Sequence, residues 1–161
     1  MDLSIREHCK VQAKFVGLTR QDQLAAHAAW QVIHPLMPML LDKFYEHLDA
    51  NGLHHIFRGK SISTIKSKQI EYWEQLFSGN VDRTYDLQVS ALAAKHQAVG
   101  VDLSHYIGSY AWFSQRFFQI IADCRPVPEF GKNQMLTAVN KLIYLDMMLA
   151  QDSFSIVMLD I

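Results

Sequence analysis

The 161 residues carry a formal net charge of −1 with a pI near 6.7, and half of them are hydrophobic. That balance supplies no basic footprint for nucleic acid and no polybasic patch for an anionic membrane, while it holds more apolar material than a disordered chain does. The length suits one domain with a full core.

Cys9 and Cys124 lie far apart and show no CxxC spacing, which fits free thiols in a reducing cytoplasm. The N-terminal MDLSIREHCKVQAKF lacks a basic start followed by an apolar run, and no window approaches eighteen uninterrupted apolar residues. A cytoplasmic chain without a membrane span is the expectation. Seven glycines and four prolines fall between long periodic segments instead of at the short intervals of an all-β domain, which predicts an all-α fold.

In chain order, residues 1–16 read as a short helical extension with Ile5, Cys9 and Val16 near one face, ended by Gly17, and with His8 at the surface. Thr19 is suited to cap the next helix, in which Asp22 favours the first turn and Leu24, Ala28 and Val32 line one side. Pro35 and Pro38 then break or bend the chain. From Met37 to Leu48, Leu40, Leu41, Phe44, Tyr45 and Leu48 form one wide apolar stripe, so Tyr45 points inward and its hydroxyl needs a partner. A turn at 49–52 leads into LHHIFRG, an irregular corner plugged by Phe57.

Ser61 or Ser63 opens a helix whose inward stripe runs through Ile62, Ile65, Gln69, Tyr72 or Trp73, and Leu76. Lys68 stands at the border of that stripe, where its stem covers apolar surface with the ammonium wet, or where it enters a pocket. The segment 81–100 places His96 within an apolar face shared with Val89, Leu92 and Val99. Alanines at 91, 93, 94 and 98 leave room beside that face for a flat ligand. Gly100 reads as the stop of this helix. Taken alone, a lone inward histidine is more often a structural residue with a hydrogen-bond partner than an axial ligand to iron, for which a neutral imidazole is suited. Ser104 to Cys124 forms an aromatic helix with Tyr106, Tyr110, Phe113, Phe117 and Ile120 on the core side. After the 125–128 loop, the segment from Phe130 is apolar on more than one face, which predicts a second neighbour in addition to the core, namely another copy of the chain. The pattern is still running at Ile161, so a longer parent protein is expected.

Four segments, LLDKFYEHL at 40–48, EYWEQLFSG at 71–79, KHQAVGVDLSHYIGSY at 95–110 and YLDMMLA at 144–150, occur in an order and spacing that resemble the globin-coupled sensor family over roughly residues 15–157. The resemblance implies a globin fold and haem b, held non-covalently because no CxxCH motif is present. It makes His96 the proximal iron ligand, Tyr45 the distal donor to the gas, and Tyr106 an outer partner that orients the imidazole. Phe57 resembles the phenylalanine that wedges against the haem, and Phe44, Ile65, Leu92 and Val99 complete the expected lining. Lys68 stands where relatives carry a small residue and is a second candidate for the distal iron position. His105 replaces a frequent tryptophan.

The same resemblance implies a sensor of O2, with CO and NO as further ligands, that dimerises through its last helices. It would regulate a C-terminal output domain such as a diguanylate cyclase or histidine kinase and would not itself catalyse. Two rivals stay open. One is a redox-active haem globin acting on nitric oxide or peroxide, for which Tyr45 with Lys68 is an unusual acid–base pair. The other is a haem-free helical interaction module in which His96 is structural.

Overall fold

Side-chain caps set the helix starts. The computed structural model describes residues 3–159, and the side chains of residues 8–154. Its helices are α1 (Leu3–Phe15), α2 (Arg20–Ile33), α3 (Met37–Ala50), α4 (Ile62–Phe77), α5 (Arg83–Ala98), α6 (Leu103–Asp123) and α7 (Glu129–Leu159), and no strand occurs among the described residues. Thr19 and Asp22 form a reciprocal capping box on α2: the Asp22 amide donates to Thr19 Oγ1 at 3.1 Å, and the Thr19 amide donates to Asp22 Oδ2 at 2.8 Å. Ser61, Asp82 and Asp102 accept from the first turns of α4, α5 and α6. Each such cap is worth about 1 kcal/mol.

The two prolines redirect the chain without opening a loop. Pro35 lies in a 3₁₀ turn at His34–Leu36, and Pro38 sits in the first turn of α3, where a missing amide hydrogen costs nothing. A second 3₁₀ turn, His54–Phe57, forms the corner before α4. Gly79 ends α4 with a φ of 70°, and a Cβ there would come within 2.8 Å of Gln23 Cγ. Gln23 in turn donates to the Gly79 carbonyl at 3.0 Å, fixing the end of α4 against α2. At Gly100 a φ of 86° reverses the chain between α5 and α6, leaving His96 one turn from a helix end.

Helix α7 is the spine, packed against α2, α5 and α6, while α2 also meets α4. The core is aromatic. Trp73 meets Phe113 at 5.1 Å and Phe117 at 5.0 Å, and Trp30 stacks on Phe77 at 5.1 Å. Full burial of each such ring contributes roughly 1.5–3 kcal/mol. Helices α4 and α5 each rest on α7, where their Tyr72 and Tyr85 hydroxyls meet at one carboxylate oxygen of Asp146.

Helix α2 is rotated from the sequence expectation. Its core face is Ala26, Ala29, Trp30 and Ile33, whereas Leu24 is 64% exposed and Ala28 and Val32 are half-buried. Burying the Trp30 indole against Phe77 outweighs burying Leu24, and both cannot face inward. Ile62 is likewise exposed at the mouth of α4, and in α6 Ile121 completes the fully buried row while Ile120 is half-buried. In α1, Cys9 is buried as expected and Ile5 lies outside the described side chains. His8 pairs with Asp152 of α7 at 2.6 Å. No helix among the described residues is long and apolar enough to cross a membrane.

Candidate functional site

His96 comes to the site from the last turn of α5. Its Nδ1 lies 2.8 Å from the Leu92 carbonyl oxygen. A carbonyl only accepts, so Nδ1 carries the hydrogen, and Nε2 is left with its lone pair and no hydrogen-bond partner among the described residues. Burial pushes the imidazole below its ordinary value of 6.5; the bond to Leu92 opposes that shift, and the charge of Lys60 adds to it. The ring is therefore neutral at pH 7, the state that donates to a metal. Tyr106 stands edge-on to it, with centroids 5.0 Å apart and planes at 80°.

Four apolar residues of the expected lining are not consumed by the core. Leu92 and Val99 on α5, Ile65 on α4 and Phe57 at the 54–57 corner are half-buried and stand outside the contiguous core cluster. Tyr45 is half-buried on α3. Its ring lies 4.9 Å from Phe57, and its hydroxyl donates to Gln69 Oε1 of α4 at 3.2 Å. Burial pushes this phenol up to about 12, so it keeps its hydrogen at neutral pH. The Lys66 ammonium lies 5.4 Å from the Tyr45 centroid and pairs with Asp42. A free neutral imidazole, an apolar lining and a phenol donor are a donor set that fits haem.

The family model described as Protoglobin matches residues 6–155. The chain belongs to the Protoglobin family. In structure this protoglobin is similar to the globin domain of the Geobacter sulfurreducens globin-coupled sensor, at 19% identity and a TM-score of 0.80, over 90% of this chain and 96% of that one. At such identity the likeness shows the globin fold, which meets the expectation of an all-α globin. No curated protein matches the chain. Membership of a globin family implies haem binding.

The expected site residues of this protoglobin divide into two groups. His96 and Tyr106 are in contact, and so are Tyr45 and Phe57, while Phe44 is 5% exposed and belongs to the core, meeting the Tyr45 ring at 5.8 Å and supporting it from behind. Lys68 is exposed, and none of these contacts involves it. Its neighbour Gln69 is the α4 residue that bonds Tyr45, a pairing that the apolar stripe of α4 suggested only by placing Gln69 inward. Lys60 had no signal at all, because its approach to His96 depends on the path of an irregular corner. His105 is exposed and pairs with Asp102 at 3.0 Å.

Proposed function

We propose that this domain binds haem b non-covalently between α4 and α5, with His96 Nε2 as the proximal iron ligand, and serves as the O2-sensing part of a signalling protein. The observation that carries the reading is the His96 imidazole, kept neutral by burial and locked by Leu92 into the tautomer whose free nitrogen is Nε2. The haem supplies reversible coordination of a diatomic gas. The chain supplies everything that discriminates between gases.

Leu92 fixes the ring so that Nε2, and not Nδ1, is the donor. Leu92, Val99, Ile65 and Phe57 would shield a bound haem from water, and Lys60 would offer a cation for its acidic groups. Tyr45 and Gln69 form the distal pair. The phenol hydrogen, shared at rest with Gln69, is available to the gas, and the Gln69 amide then has a hydrogen of its own to give. Two donors favour O2, which becomes polar on binding, over CO. An exposed Lys68 is free to stay in solvent, which leaves the distal position open to gas.

In this reading residues 1–16 are an extension joined to the globin domain, as the His8–Asp152 pair supports. The gas biases a homodimer built on the last helices, and through it a C-terminal output domain such as a diguanylate cyclase or histidine kinase. Such control needs the gas to have unequal affinity for two arrangements of the dimer. An O2 titration of the haemin-loaded chain after anaerobic reduction tests the sensor reading. Reversible saturation, undone by removing O2, is the expected result; irreversible oxidation at each exposure, with turnover of added peroxide, would favour a redox-active globin.

A further inference from the structure

Asp146 sits in the middle of the YLDMMLA segment of α7 and is 0% exposed. Its carboxylate accepts hydrogen bonds from three phenols on three other helices: Tyr72 of α4 at 2.6 Å, Tyr85 of α5, and Tyr110 of α6. An ionised carboxylate can only accept, and each of these phenols can only give one hydrogen, so every phenol hydrogen in the cluster has an acceptor. Burial raises Asp146 above the ordinary carboxylate range and the three phenols pull it back, while burial and the adjacent carboxylate raise all three phenols.

One branch of the cluster leads to the site. The single hydrogen of Tyr110 goes to Asp146, yet the Tyr110 and Tyr106 hydroxyl oxygens lie 3.3 Å apart. The Tyr110 hydroxyl stands between the Asp146 carboxylate and the Tyr106 oxygen and is in hydrogen-bond reach of both. Two phenols thus point in series from His96 toward the carboxylate, and the Tyr106 ring, held at its hydroxyl end by Tyr110 and flanked by Phe154 at 5.2 Å, presents its edge to the imidazole. A second branch returns along the ligand's own helix, because Tyr85 lies on α5 three turns before His96.

We propose that Asp146 is a positioning residue for the His96 imidazole, acting from α7 through the hydroxyls of Tyr110 and Tyr106. The inference rests on His96 being the iron ligand and adds which distant group fixes its ring. A change in the ring's orientation must move Tyr106, and that movement is resisted by a carboxylate on the spine helix. A displacement of α7 reaches the ligand by the same route in reverse.

The test is the iron–histidine stretching band in the resonance Raman spectrum of the reduced, haem-loaded chain. It compares wild type with Tyr110→Phe, which keeps the ring and deletes the relay, with Asp146→Asn, and with Ile33→Val, a core change on α2 outside the cluster. The expected result is the same displaced or broadened band in Tyr110→Phe and Asp146→Asn and the wild-type band in Ile33→Val. Should Asp146→Asn fail to fold, Tyr110→Phe decides alone. An unchanged band in folded Tyr110→Phe would overturn the inference while leaving His96 as ligand, and so would an equal displacement in Ile33→Val, which would signify general loosening. Absence of any iron–histidine band in the wild type would instead remove the ligand assignment on which the inference stands.

Discussion

Asp146 is fully buried and His96 half-buried, and they differ in what is left over. The Asp146 carboxylate is matched by three phenols, so its capacity is spent within the chain. His96 has one nitrogen matched by the Leu92 carbonyl and the other unmatched among the described residues. The first arrangement is that of a fixed point in the fold; the second leaves one ring nitrogen without a hydrogen-bond partner among the described residues.

The contrast gives unequal responses to deletion. Asp146→Ala leaves three buried phenols without an acceptor and should cost about 3–5 kcal/mol of unfolding free energy in urea denaturation of the haem-free chain. A loss below about 1 kcal/mol would mean that water or a repacked partner replaces the carboxylate. Tyr45→Phe removes a bond worth about 1–1.5 kcal/mol, so O2 should leave the reduced, haem-loaded domain roughly tenfold faster in stopped-flow measurements. Gln69→Leu should quicken that loss by a smaller factor if the phenol remains the principal donor, and a larger factor would exchange their roles. His96→Ala should be nearly silent in the haem-free fold, within about 0.5–1 kcal/mol of wild type by the same denaturation, because only one modest bond to Leu92 is lost.

The pH response sharpens the same difference. Since the His96 ring titrates below its ordinary 6.5 in the fold, the unfolded chain takes up that proton first as the solution is acidified. Stability of the haem-free chain should then fall as pH drops below 6.5, and the part due to this ring should vanish in His96→Ala. Urea midpoints measured above and below that value for both chains check it; parallel curves would show that the ring is not shielded.

Much of this was legible in the order of residues. Helix positions followed from periodicity, from Thr19, Ser61 and the terminal glycines, and the stripe of α5 singled out His96 because every neighbour on that face is apolar. The rotation of α2 was not legible, since Leu24 and Trp30 both suit a core and only the packing partner Phe77 decides between them. Nor was the Tyr45–Gln69 bond, which joins two helices whose relative height no local pattern encodes. The Asp146 cluster gave one faint sign, an acidic residue inside the apolar YLDMMLA. Its three phenols are scattered over residues 72–110, and only the fold assembles them.

Whether His96 Nε2 holds the iron is decided by a haemin titration of the wild-type chain beside His96→Ala, followed by visible absorption. Stoichiometric uptake with a histidine-ligated spectrum is expected for the wild type, and an affinity lower by on the order of 100-fold or more with an altered spectrum for the variant. Equal uptake with identical spectra from both chains would contradict it.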